Sequence, residues 1–134
     1  MTTKTTISDT EYATLWYYPD PKIVHHRFHK PIKGEEFRQV LLKGLDIFRQ
    51  NGAQKWLSDD RLNASLPVED SDWGQQQWFP QVFAAGWKFW AIVLPDKVFG
   101  RMNMQNFIKA YSEQGLTIEV FGDMDEAMKW LEAV

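Results

Sequence analysis

The stretch WKFWAIVLP, residues 87–95, decides the fold. Its aromatic and β-branched residues fall on both faces of an extended chain, and a strand without a polar face must be covered on both sides. Pro95 cannot donate to a ladder and closes the strand. The flanking sequence supplies the cover. Upstream, residues 72–85 read as a helix that opens at Asp70, Ser71 or Asp72 and stops at Gly86, with Pro80 kinking it or starting a fresh helix. Downstream, Met104, Phe107, Ile108 and Tyr111 mark the inward face of a helix of about 98–114 ended by Gly115.

Further out the alternation continues. Phe37, Val40, Leu41, Leu45 and Phe48 recur at helical spacing over 34–51, and Asn51-Gly52 ends that helix. QKWLS is a short strand and LTIEVF the last one. Asp123 and Glu126 open a final helix with Met124, Ala127, Met128 and Leu131 inward. Residues 12–31 give two β-rich runs around the Pro19–Lys22 turn, a hairpin. Residues 1–11 read as a flexible tail. The expected fold is therefore a single α/β domain over 12–134, order ββαβαβαβα. It would hold a five-stranded, mostly parallel sheet with an antiparallel N-terminal hairpin and about four helices. Ligands of such sheets gather where loops leave the carboxyl ends of the strands.

Composition narrows the function. The chain has 134 residues, the size of one domain, and a formal charge of -3, so no basic footprint suits nucleic acid. No cysteine is present, which removes thiolate nucleophiles, disulfides and thiolate metal sites, and is compatible with a cytoplasmic location. MTTKTTISDT has no apolar core of a signal peptide, and no run is long enough to span a bilayer. Aromatic residues make up 15% of the chain, with seven tryptophans, and these must cover something.

The loop after QKWLS concentrates the chemistry. Asp59, Asp60, Glu69, Asp70 and Asp72 stand there with Trp56, Trp73 and Trp78 around them. Asp59-Asp60, with Asp96-Lys97 after a later strand, is similar to the magnesium-holding pair of receiver domains, but Gly122-Asp123 stands where a receiver has lysine. The acids are read as loop solvation and helix caps, with no metal or cofactor expected. The histidines lie on one strand, which sends His25 and His29 to one face and His26 to the other, between Val24 and Phe28. About 13 Å separates His25 from His29 at roughly 3.3 Å per residue, too far to share a metal. The tryptophans either wedge the 72–85 helix onto the sheet or wall an apolar pocket formed by Trp56, Trp73, Trp78, Trp87 and Trp90. A third use is self-association, for which Trp16, Tyr17 and Tyr18 on an expected edge strand are a further candidate. No nucleophile elbow, phosphate loop, zinc-protease or dinucleotide motif occurs, so no enzyme class is indicated.

FHKPIKGEEFRQVL, GAQKWLSDDR, VEDSDW, WKFWAIVLP and VFGDMDEAMKWL together resemble the SpoIIAA-like proteins, related to the sulfate transporter and anti-sigma-factor antagonist (STAS) domain. The resemblance implies a non-enzymatic regulatory or scaffolding domain that meets an unknown protein partner through the 59–74 loop. The wider superfamily also implies an alternative, a carrier or sensor of a lipid-like ligand. It further implies a phosphoacceptor at Ser71, with Asp59, Asp60, Asp70, Asp72 and Gly74 as the switch or partner surface. Asp72 replaces the second serine of the antagonist motif, and Trp73 precedes the glycine. A phosphate on Ser71 would meet a favourable helix end but two adjacent carboxylates, and an N-cap is the simpler use of that serine.

Overall fold

The computed structural model describes residues 3–95 and 98–134, with side chains throughout except those of residues 98–100 and 103. One mixed sheet runs in sequence order: β1 (Thr5–Asp9), β2 (Ala13–Tyr18), β3 (Ile23–Phe28), β4 (Lys55–Asp59), β5 (Phe89–Val93) and β6 (Thr117–Phe121). The first three strands are antiparallel, and β3 to β6 are parallel. The α/β class expected from the alternation is present, but with six strands rather than five. The additional strand is part of the segment read as a tail. Thr5, Thr6, Ser8 and Asp9 pair with β2, a long-range partner that local polarity does not announce, and the register shifts at Ile7. That pairing also removes the expected edge at Trp16–Tyr18, because β2 lies between two neighbours and Tyr17 and Tyr18 are buried.

Each parallel connection steps one strand in the same direction. Crossovers of one hand then place their helices on one face. α1 (Gly34–Asn51), a helical run over residues 68–84, and α4 (Val98–Glu113) pack on that face around Leu15, Val24, Trp56, Trp90 and Ile92. α5 (Met124–Ala133) covers the opposite face, where Ala127 and Leu131 meet Ile23, Leu57, Ala91 and Val93. β5 is thus buried from both sides, as its composition requires. Asp123 caps α5, accepting from the Asp125 N–H. Among the described residues no helix is long and apolar enough to cross a membrane.

The run over 68–84 differs from expectation. It begins at Val68 with Pro67 as N-cap, not at Asp70–Asp72. It consists of α2 (Val68–Trp73), a π segment (Gly74–Trp78) and α3 (Phe79–Ala84), with Pro80 in the first turn of α3. Pro80 has no N–H to give to the preceding turn. A fresh helix thus begins beside Pro80, the second of the two expectations for this segment, and the widened π turn before it was not foreseen.

Candidate functional site

Three side chains of one strand build the site. Alternation along β4 and its first following residue turns Trp56, Ser58 and Asp60 toward the helix face, and Leu57 and Asp59 toward α5. The acidic pair of the sequence is therefore split across the sheet. Asp59 is 2% exposed and is clamped by Arg61 through bonds of 2.9 and 2.8 Å, with Arg27 at 3.8 Å. Burial alone would raise its carboxyl, but Arg61 and then Arg27 hold it below its ordinary value.

Asp60 meets a different partner. His26 of β3 lies beside it, Nε2 to Oδ1 at 2.7 Å, and both are buried. On its other nitrogen His26 receives the Trp56 indole N–H, Nε1 to Nδ1 at 2.9 Å. An indole N–H can only donate, so Nδ1 must carry a lone pair and the proton sits on Nε2, donated to Asp60. This assigns His26 as the neutral tautomer, since an imidazolium would set two donors against each other.

Above this pair lies a cavity of about 50 Å³. Trp56, Trp78, Trp87, Trp90, Phe107 and Tyr111 form much of its wall, and Ser58, Asp60 and Asn63 supply a polar end. The rings pack edge to face or tilted, with centroids 5.3 Å apart for Trp56–Trp78 and Trp87–Trp90 and 5.5 Å for Trp90–Tyr111. Their polar edges are directed: Trp90 donates to Ser58 Oγ at 2.7 Å and Trp78 to the Leu41 carbonyl at 2.8 Å. At roughly 10–15 Å³ for one water, the space suits a few waters or a small molecule. An acyl chain would need the walls to part.

The loop after β4 closes the same cavity. Asn63 and Leu66 line it, and Asn63 accepts the Ile32 N–H at 3.2 Å, tying the loop to the segment that enters α1. Outward from these anchors Leu62 is 46% and Val68 73% exposed. The cavity thus lies beneath a loop that is buried on one side and apolar on the other.

Ser58, His26 and Asp60 are the residue types of a hydrolytic triad, but their bonds are not those of one. A triad needs the histidine between serine and carboxylate. Here both His26 nitrogens are taken, by Trp56 and Asp60, and Ser58 accepts from Trp90. Neither nitrogen of His26 is left to serve as a base for the hydroxyl.

The remaining expected residues are placed as follows. Trp56, Trp78, Trp87 and Trp90 share the cavity wall, whereas Trp73 stays outside it, against Phe37 and under the Arg38 guanidinium. Of the expected partner surface, Asp59, Asp60, Asp70 and Gly74 are buried and only Asp72 is exposed; Glu69 and Asp72 are solvated as expected, but on α2 rather than on a loop. Ser71 lies within α2 rather than at its cap, and its Oγ is buried without a hydrogen-bond partner. Asp96 and Lys97 lie outside the described residues. His29 bonds Thr14 at 2.7 Å and His25 bonds Tyr18 at 3.1 Å. Among the described residues no group of three or more His, Asp or Glu is placed to hold a metal.

Asp70 has a structural task. Lys33 begins α1 without a side-chain cap, and Asp70 supplies one from another element, accepting from the Gly34 N–H at 2.9 Å and from Arg38 at 3.3 Å. Asp70→Ala leaves that N–H without its acceptor and takes the carboxylate from the half-buried Arg38, and is expected to cost about 1–3 kcal/mol. Asp70→Asn, which keeps an acceptor for Gly34, should cost clearly less. Urea denaturation of the two variants checks this order.

Ser58, Asn63 and Tyr111 are site residues that sequence reading did not single out. Ser58 could have been found by counting two positions along the strand from Trp56. Asn63 lies within the loop already singled out and Tyr111 on the inward face read for the 98–114 helix, but neither position by itself announced a place in the cavity wall. No family model, curated protein or solved structure matches the chain.

Proposed function

We propose that the chain is a non-enzymatic sensing module: its aromatic cavity takes a small molecule, and the 59–74 loop presents the occupied state to a protein partner. The observation that carries this reading is that one cavity is lined both by core tryptophans and by Asn63 and Leu66 of the loop. A guest in that space must touch both, so occupancy and loop position are coupled. The location supports it as well, since His26 and Phe28 of β3, Ser58 of β4 and Asp60 just after it bring the cavity to the carboxyl ends of those two strands, where sheets of this kind bind ligands. The exposed Leu62 and Val68 favour a protein contact at the loop. The resemblance to SpoIIAA-like and STAS domains points the same way, toward regulation without catalysis in the cytoplasm.

Native mass spectrometry in the presence of millimolar short alcohols, amines or acids is expected to show one bound molecule, of a mass well below that of a lipid. Hydrogen exchange of the amides at 60–67 should slow in the bound form. If no mass is bound, and tryptophan fluorescence ignores a panel of short alcohols, amines and acids, the reading is wrong. A species heavier by one phosphate at Ser71 would favour the phosphoswitch implied by the resemblance.

A further inference from the structure

Asp60 is a buried carboxylate with a neutral partner. It is 2% exposed, and among the described residues its side chain bonds only to His26, whose other nitrogen is committed to Trp56. Of the arginines at this end of the sheet, Arg27 and Arg61 stand against Asp59, Arg38 stands against Asp70, and Arg101 donates to the Pro95 carbonyl. A buried charge without a counter-charge is costly, and proteins pair it or neutralise it. The space that Asp60 shares is walled by five electron-rich rings, Trp56, Trp78, Trp87, Trp90 and Tyr111. Adjacent centroids lie 5.9 Å apart for Trp56–Trp87, 5.3 Å for Trp87–Trp90 and 5.5 Å for Trp90–Tyr111. Aromatic faces gathered beside an anion are the arrangement that holds an organic ammonium ion, the rings attracting the cation and the carboxylate completing the charge.

We infer that the cavity selects a compact alkylammonium cation, with its N–H groups toward Asp60 and its carbons against the indole rings. The inference rests on the small-ligand reading above and names the chemistry of that ligand. Size sets the limit. About 50 Å³ admits only a few heavy atoms without movement of the walls, which favours a small free amine over a long side chain. A cation of three heavy atoms can reach a Kd of about a millimolar at best.

The test compares two ligands of similar size, ethylammonium chloride and ethanol. Each is titrated into the wild-type protein at constant ionic strength and followed by the indole N–H resonances. Ethylammonium should shift the Trp56 and Trp90 signals saturably, and ethanol should bind at least about tenfold more weakly. Asp60→Asn should bring ethylammonium down to the level of ethanol. Equal binding of the two by the wild type overturns cation selection while leaving a small-ligand cavity standing. Saturable binding of neither overturns both readings. Undiminished ethylammonium binding by a folded Asp60→Asn variant overturns the role of Asp60. If that variant does not fold, the wild-type comparison decides alone.

Discussion

Replacing Gly44 with alanine is expected to destabilise the protein by about 2–3 kcal/mol, although the same change in an exposed helix interior would stabilise it by about 1 kcal/mol. Gly44 lies in the buried face of α1, and a methyl there would overlap the Trp56 ring, with Cζ3 at 2.6 Å. Trp56 cannot yield cheaply. It is 1% exposed, and Phe48, Trp78 and Trp87 hold its ring with centroids 5.6, 5.3 and 5.9 Å away, while its N–H is committed to His26. The loss should therefore be coupled to that ring. In a Trp56→Phe background the Gly44→Ala penalty is expected to shrink, and a double-mutant cycle by urea denaturation measures the difference. A stabilised Gly44→Ala protein would mean that α1 and β4 are further apart than described.

Acid should loosen the fold in two stages, of which the first belongs to His25. This residue lies on the face opposite the cavity, 6% exposed beneath Trp16, with Nδ1 bonded to Tyr18 and Nε2 buried without a partner. Burial, reinforced by His26, pushes its pKa down to about 3 from 6.5, and Asp59 opposes the shift only in part. The native state thus binds fewer protons than the unfolded chain between those values. Stability is fully present above about pH 6.5 and falls as pH drops toward 3, by at most about 1.4 kcal/mol per pH unit. Asp59 acts in the second stage. Its carboxyl is held below its ordinary value, so its contribution is present above about pH 4 and is lost below it. His25→Phe keeps the ring on Trp16 and removes the proton. Its urea midpoint should change little between pH 7.5 and 5, where that of the wild type declines. Parallel profiles for the two proteins would reject this account.

Much of the architecture was legible because it follows from periodicity. The spacing of Phe37, Val40, Leu41, Leu45 and Phe48 implied α1, the two-sided apolarity of residues 87–95 implied a covered strand, and alternation put His26 on the core face. These are local patterns tied to helix and strand repeats, and burial reinforces them. β1 was not legible in this way. Thr5–Asp9 has little to bury and becomes a strand only because β2 offers a partner. The π segment at Gly74–Trp78 was not legible either, since the widened turn has no residue pattern of its own.

The site divides along the same line. By itself the sequence determined that tryptophans gather near the loop after β4 and that this loop leaves the carboxyl end of a strand. Only the tertiary structure decided that Asp59 and Asp60 serve opposite faces, that Asp70 caps a helix from another element, and that His26 is held neutral between Trp56 and Asp60. The physical reason is that solvation and pairing of a carboxylate depend on what lies within a few ångströms of it. For Asp60 and Asp70 those neighbours come from segments more than thirty residues away.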